Sequence, residues 1–119
     1  MKPLVLVVDD DADIREAITD LLEVNGYRVA VARNGAEGLE RLAGERPDAI
    51  LLDLAMPVMG GAQFAEELRR RGGGDIPIVV VSAEGNPKRA AQMGAQAYIA
   101  KPFEIEDLLT QVASITSKP

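Results

Sequence analysis

A run of apolar residues from 49 to 52 ends on one carboxylate, Asp53, and is followed by Pro57, Gly60 and Gly61. Because the run is apolar at every position, it predicts a strand covered on both faces, as strands of parallel sheets are. Proline and paired glycines disfavour regular structure. We therefore expect Asp53 at the carboxyl end of a buried strand, facing a crevice and preceding a loop that is free to approach a ligand.

Stretches rich in β-branched residues alternate with stretches of helical periodicity along the whole chain. The predicted strands cover residues 4–8, 27–32, 49–52, 76–81 and 97–100, and the predicted helices follow them at residues 13–24, 36–43, 62–71, 87–93 and 105–115. This alternation predicts an α/β protein with a parallel sheet and right-handed crossovers. In such sheets, ligands bind beyond the carboxyl ends of the strands where the strand order reverses.

Capping residues predict where the first two helices begin. Asp13 with Glu16 resembles a capping box. Any one of Asp9, Asp10, Asp11 and Asp13 could cap the first helix, and capping is the preferred interpretation for Asp11 and Asp13. Asn34 and Gly35 predict a turn before the second helix.

The fourth helix is expected to be short, because only about two turns fit between Pro87 and Gly94. Asn86 would cap it, Pro87 would take its first position and Gly94 would close it. A helix of this length is marginal without tertiary packing, so we expect it to be mobile or partly unwound. The fifth helix is expected to bury a stripe of apolar residues, namely Ile105, Leu108, Leu109, Val112 and Ile115.

Composition excludes several classes of function. Cysteine and histidine are absent, which excludes disulfides, the usual zinc sites and nucleophiles activated by histidine. With 19 acidic and 13 basic residues the net charge is −6, so a broad surface for nucleic acid is not expected. The basic cluster 69–71 is interpreted as complementing a helix dipole. The longest amino-terminal apolar run, residues 4–8, is far shorter than the ~20 residues that span a membrane. We expect a single cytoplasmic domain, residues 1–119, without membrane contact.

Polar side chains stand at four of the predicted strand ends: Asp9, Asp10, Asp11, Asp53, Ser82 and Lys101. Two carboxylates about 4 Å apart repel by roughly 4 kcal/mol at an effective dielectric of 20, so the crevice needs a cation or raised pKa values. Among metal ions, Mg²⁺ suits a site of few carboxylates and water. A carboxylate beside Mg²⁺, a lysine and a hydroxyl is equipped to accept a phosphoryl group. Taken singly, Ser82 would be an ordinary strand-end hydroxyl, Lys101 a solvated lysine and Tyr98 a half-buried aromatic; their joint placement favours a functional site.

Four motifs give the sequence a family resemblance over its whole length: Val-Val-Asp-Asp-Asp at 7–11, Asp-Leu-Ala-Met-Pro at 53–57, Ser-Ala at 82–83 and Lys-Pro-Phe at 101–103. In their order and spacing the chain resembles a receiver domain of a bacterial two-component response regulator. The resemblance implies a flavodoxin-like, doubly wound five-stranded sheet of order 2-1-3-4-5, with helices on both faces.

The resemblance also implies roles for particular residues. Asp53 would accept a phosphoryl group from a phosphohistidine on a sensor kinase or phosphotransfer protein. Asp9 and Asp10, with Asp53, would bind Mg²⁺ directly or through water, and the backbone carbonyl of Ala55 would complete the site. The domain would assist its own phosphorylation and dephosphorylation without being an enzyme for a separate substrate.

Three further residues would form the switch. Lys101, preceding a cis bond to Pro102, would bind a phosphoryl oxygen, and Ser82 would move to bind another. Tyr98 would turn inward as Ser82 moves. The change would be transmitted to a surface formed by the fourth helix, fifth strand and fifth helix, which a downstream protein or an output domain on a longer chain would recognise.

One position and the length of one segment depart from the family pattern. Residue 60 is glycine where the family commonly has Asp or Asn, and the segment from Ser82 to Tyr98 is about one helical turn shorter than usual.

Three alternatives remain beside this interpretation. A receiver-like adaptor that works without phosphorylation would not need the acid, serine and lysine set. A phosphatase with an aspartate nucleophile would want Asp-x-Asp-x-Thr after the first strand, where position 13 is Asp. A flavin or nucleotide binder would want glycines in the first loop, which is acidic here.

Overall fold

The computed structural model describes residues 2–56, 58–83 and 87–116. Strands and helices alternate along the chain: β1 (Leu4–Val8), α1 (Ala12–Val24), β2 (Arg28–Ala32), α2 (Gly35–Leu42), β3 (Ala49–Leu52), α3 (Gly61–Arg70), β4 (Ile78–Ser82), α4 (Pro87–Gln92), β5 (Ala97–Ala100) and α5 (Ile105–Thr116). The five predicted strands are all present, which confirms the α/β interpretation.

The sheet is parallel throughout and has the order β2-β1-β3-β4-β5. Two apolar layers cover its faces: α2, α3 and α4 pack on one face, while α1 and α5 pack on the other. Every residue of β1, β3 and β4 is buried, as their unbroken apolar runs predict. The chain leaves β1 for β2 on one side and continues to β3 on the other, so the strand order reverses between β1 and β3. This fold confirms the doubly wound topology that the resemblance implied.

The first helix begins earlier than the capping box predicted. Asp11 is the N-cap, and its Oδ1 accepts hydrogen bonds from the backbone amides of Asp13 (2.9 Å) and Ile14 (3.3 Å). The prediction that Asp13 caps this helix is therefore wrong, whereas that for Asp11 is confirmed. Asp13 instead places an acidic group in the first turn, where the helix dipole favours negative charge.

Two further expectations need correction. Asn34 is the N-cap of α2 and accepts a hydrogen bond from the Glu37 amide over 2.9 Å, so Gly35 is the first helical residue rather than part of a turn. Ile105 is 57% exposed, although helical spacing placed it on the buried face of α5. It occupies the first position of that helix, ahead of the turns in which Leu108 and Val112 enter the core.

The fourth helix is short, as predicted, with six residues. Pro87 is its first residue, and Gly94, with a φ of 85°, follows it. Its predicted cap, Asn86, and the predicted loop-forming Pro57 lie outside the described residues. The Lys101–Pro102 bond is cis, as the resemblance implied. Across the described ranges, none of the helices has the length and apolar character needed to span a membrane.

Candidate functional site

The predicted strand-end residues meet at one edge of the sheet. Asp9 follows β1, Asp53 follows β3, Ser82 ends β4 and Lys101 follows β5. Because all strands are parallel, their carboxyl ends share this edge. Asp9, Asp53 and Ser82 are buried polar residues in an otherwise apolar interior. Buried polar groups of this kind need hydrogen-bond partners: Ser82 donates to Asp53, and Asp9 accepts from Lys101 and the Asp11 amide.

Both oxygens of the Asp53 carboxylate have partners. Oδ1 accepts hydrogen bonds from the Ser82 hydroxyl (2.8 Å) and the Ala55 amide (3.2 Å), and Oδ2 lies 3.3 Å from Lys101 Nζ. The Asp53 amide donates to the carbonyl of Val8 over 3.0 Å, which continues the β1–β3 pairing one residue past the strand. The carboxylate is therefore held at the strand end by three different segments of chain.

Lys101 joins the two buried carboxylates. Its Nζ lies 2.7 Å from Asp9 Oδ2 and 3.3 Å from Asp53 Oδ2. Burial raises the pKa of the Asp9 carboxyl, and hydrogen bonds from Lys101 and the Asp11 amide only partly offset it. Burial alone would lower the pKa of Lys101, but hydrogen bonding and charge from Asp9, with a smaller contribution from Asp53, raise it. Both groups therefore hold their protons more tightly than in water, Asp9 because burial disfavours its charged form and Lys101 because two carboxylates lie beside it.

Asp10 completes a group of carboxylates that suits a cation. One oxygen from each of Asp9, Asp10 and Asp53 lies within 4.8 Å of the other two. Asp9 and Asp53 are buried whereas Asp10 is exposed, so the group is open to water on one side. An all-oxygen set with room for water fits Mg²⁺, which retains several waters when it binds to proteins. Ala55 lies half-buried two residues beyond Asp53, and the role of its carbonyl stays a prediction.

Tyr98 is connected to the site through Ser82. Its hydroxyl donates a hydrogen bond of 3.2 Å to the Ser82 carbonyl, while the Ser82 side chain reaches Asp53. Ser82 Oγ thus already lies within hydrogen-bonding distance of the carboxylate. The movements that the resemblance implied for Ser82 and Tyr98 stay predictions.

Two residues that contact the site were not predicted from the sequence. Arg15 donates from Nη1 to the backbone carbonyl of Asp9 over 2.7 Å, and nothing in its helical spacing indicates this partner. A Cβ on Gly61 would lie 2.7 Å from the Asp53 carbonyl oxygen and 2.9 Å from Leu54 Cα. The glycine pair predicted only a loop, whereas Gly61 is the first residue of α3 and packs on the Asp53 backbone. Its neighbour Gly60 is the N-cap of α3, without a side chain to bond the helix.

Comparison with known proteins gives one consistent result. The sequence model of the response regulator receiver domain matches residues 5–113. Response regulator MprA of Mycobacterium ulcerans (strain Agy99) is 41% identical over 118 residues, which are 97% of this chain and 50% of that protein. Its namesake in Mycobacterium tuberculosis (strain ATCC 25618 / H37Rv) is 40% identical over 118 residues, again 97% of this chain and 51% of the relative. The chain spans about half the length of these curated relatives.

Solved structures agree with the sequence comparison. The chemotaxis protein CheY4 of Vibrio cholerae superposes with a TM-score of 0.90 at 32% identity, covering 97% of this chain and 99% of that one. The response regulator protein TrrA of Thermotoga maritima, solved in complex with Mg²⁺ and beryllofluoride, gives a TM-score of 0.85 at 31% identity over the same shares of the two chains.

Proposed function

The chain belongs to the response regulator receiver domain family, and on that premise we propose that it is a switch controlled by phosphorylation of Asp53. The phosphoryl group would come from a phosphohistidine of a sensor kinase or a phosphotransfer protein. The observation that carries this proposal is the buried Asp53 carboxylate, which has a hydroxyl on one oxygen and an ammonium on the other. Phosphoryl transfer depends mainly on positioning and charge stabilisation, and this arrangement supplies both.

In the proposed reaction a carboxylate oxygen of Asp53 attacks the phosphorus atom. A phosphorus–oxygen bond forms, the phosphorus–nitrogen bond of the donor breaks, and its electron pair stays on the imidazole. Lys101 would neutralise charge on a phosphoryl oxygen, and the Ser82 hydroxyl would donate to another; the contacts of both groups with Asp53 support these roles. The domain acts as a phosphoacceptor that assists its own phosphorylation and dephosphorylation, rather than as an enzyme for a separate substrate.

Asp9, Asp10 and Asp53 would hold Mg²⁺, with the Ala55 carbonyl as a further ligand. When bound, the ion supplies positive charge that stabilises the transferring phosphoryl oxygens. Asp9 Oδ1 accepts a hydrogen bond of 2.9 Å from the Asp11 amide. This bond orients the Asp9 carboxylate before any ion binds. Asp10, the exposed member of the three, would offer its carboxylate on the side that is open to water.

The output of the switch would be a change in the surface formed by α4, β5 and α5. Tyr98 on β5 supports this route because its hydroxyl bonds the backbone of Ser82, which in turn contacts Asp53. We infer that residues 1–119 form one receiver domain in the cytoplasm, without direct contact with nucleic acid or membrane. Its target would be a downstream protein or an output domain on a longer chain.

Intact-mass measurement after incubation with acetyl phosphate and Mg²⁺ tests the assignment. We expect a gain of one phosphoryl group in the native chain, and no gain in Asp53→Asn or in the presence of EDTA. Asp20→Asn, at an exposed position of α1, is the matched control and should be phosphorylated like the native chain. A gain that persists in Asp53→Asn would exclude Asp53 as the acceptor. No gain in the native chain would favour the adaptor without phosphorylation.

A further inference from the structure

Arg15 lies on α1, one turn into the helix, yet its guanidinium reaches back to the end of β1. Nη1 donates a hydrogen bond of 2.7 Å to the backbone carbonyl of Asp9. Hydrogen bonds from a charged donor are shorter and stronger than those from a neutral one. Arg15 is half-buried, so this bond is partly shielded from water.

The carbonyl of Asp9 lies just beyond the ladder of the sheet. The preceding carbonyl, of Val8, accepts from the Asp53 amide, and the Asp9 amide donates to the carbonyl of Ala32. Asp9 itself is only 2% exposed. A buried carbonyl without a partner is costly, and the Arg15 side chain provides that partner.

Fixing this carbonyl also fixes Asp10. The Asp9 carbonyl and the Asp10 amide belong to one planar peptide unit, so a bond to the carbonyl sets the direction in which the chain enters Asp10. Asp10 is exposed, and within the described ranges no hydrogen bond or ion pair holds its carboxylate. By contrast, Asp9 and Asp53 are held through their own side chains. Asp10 therefore depends on its backbone for its place beside the other two carboxylates.

We propose that Arg15 is a positioning residue of the cation site, which orients the Asp9–Asp10 peptide so that the Asp10 carboxylate stands ready beside Asp9 and Asp53. This inference rests on the proposed Mg²⁺ site. Arg15 neither binds the ion nor touches the phosphoryl group. Residues that orient metal ligands in this way typically change metal affinity by about 10- to 100-fold when mutated.

Charge and positioning predict opposite effects of removing Arg15. A guanidinium repels a divalent cation, so loss of its charge alone would strengthen Mg²⁺ binding. Loss of the hydrogen bond to Asp9 frees the peptide and would weaken binding. The sign of the change in affinity therefore distinguishes the two roles.

The test is a Mg²⁺ titration followed by amide NMR spectra, well below the melting temperature of each protein. Arg15→Met removes the donor and the charge while keeping the aliphatic stem. We expect its Kd for Mg²⁺ to rise about tenfold or more. Arg15→Lys keeps the charge on a different donor and should give a smaller rise. At saturating Mg²⁺, phosphorylation by acetyl phosphate should return to within about twofold of the native rate.

Arg33→Met is the matched control. Arg33 directly follows β2, so its replacement removes the same charge from the same edge of the sheet. The Arg33 side chain, however, is 71% exposed and pairs with Glu37. Its Kd should stay at the native value or fall slightly. If Arg15→Met does not fold, Arg15→Gln, which keeps a shorter donor, is measured in its place and should also bind Mg²⁺ more weakly.

A Kd for Arg15→Met equal to or below the native value would overturn the inference, as would a lowered melting temperature without a change in Kd. An equal rise in Arg33→Met would also overturn it. If the native chain itself failed to bind Mg²⁺, the cation site of the proposed function would be wrong and this inference with it. If only the role of Arg15 were wrong, the native chain would still bind Mg²⁺, so the two outcomes are distinguishable.

Discussion

The hydroxyl of Ser82 donates a hydrogen bond to Asp53 Oδ1 over 2.8 Å, which joins the carboxyl ends of β3 and β4 through their side chains. On its other side, the Ser82 carbonyl accepts from the Tyr98 hydroxyl of β5 over 3.2 Å. The candidate acceptor and the aromatic residue of the proposed output surface are therefore connected through one residue.

Ser82→Ala removes a donor from a buried carboxylate, and we expect it to lower the free energy of unfolding by about 1 to 3 kcal/mol. Asp53 should still be phosphorylated, but the NMR signals of Tyr98 should respond less to phosphorylation than in the native chain. Ser82→Thr keeps the hydroxyl and should retain most of the response. Denaturant unfolding and spectra with and without acetyl phosphate measure the two effects; an undiminished Tyr98 response in Ser82→Ala would contradict the proposed route.

Mg²⁺ should stabilise the fold, because an ion that binds only the folded crevice relieves repulsion among its carboxylates. At a concentration about 100-fold above Kd the gain would be about 2.7 kcal/mol. Thermal melts with and without Mg²⁺ should therefore differ for the native chain and coincide for Asp10→Ala. Asp20→Ala, on the exposed side of α1, should keep the native difference. Coincident melts of the native chain would argue against the cation site.

Gly61→Ala should displace the backbone that carries Asp53. Its Cβ would meet the backbone of Asp53 and Leu54 at 2.7 and 2.9 Å, and backbone atoms cannot move aside as a flexible side chain can. We expect a loss of about 1 to 3 kcal/mol in the free energy of unfolding and slower phosphorylation of Asp53. In Gly44→Ala, the control, the nearest atom to the new Cβ is 3.6 Å away, and stability should change little. Equal stability of the two variants would show that the close approach at Gly61 is unimportant.

The short α4 should become better ordered on activation. Six residues are too few for a stable isolated helix, and α4 depends on the buried Ala90 and Met93 and on Arg69, which donates to the Met93 carbonyl over 2.9 Å. We expect amide hydrogen exchange across residues 83–95 to slow when beryllofluoride and Mg²⁺ are added.

Asp53→Asn, which lacks the acceptor carboxylate, should show no such slowing and serves as the control. Equal and strong protection in both states of the native chain would mean that α4 is already rigid, and that phosphorylation acts on the surface without ordering this segment.

The order of elements was predictable from sequence because it depends on local patterns. Unbroken apolar runs such as 49–52 predict buried parallel strands, and Asp9, Asp53, Ser82 and Lys101 could be found because each stands at the end of a predicted strand. The edge where these residues meet then follows from parallel strand direction alone. The fit of the acidic crevice to Mg²⁺ and to phosphoryl transfer was argued from the residue types, whereas the particular roles of Asp53, Ser82 and Lys101 came from the resemblance; all of these stay predictions.

Only the tertiary structure decided which groups contact one another. Sequence placed capping candidates at both Asp11 and Asp13, and the structure decided between them, because Asp11 has the extended backbone of a cap and accepts from the amides of Asp13 and Ile14. The bond from Arg15 to the Asp9 carbonyl and the contact of Gly61 with the Asp53 backbone join groups six and eight residues apart, across changes between strand, turn and helix. Residue pattern determines which face of an element is apolar. Contacts of this kind depend on how neighbouring elements pack, to within a few tenths of an ångström, and no periodicity in the sequence encodes that distance.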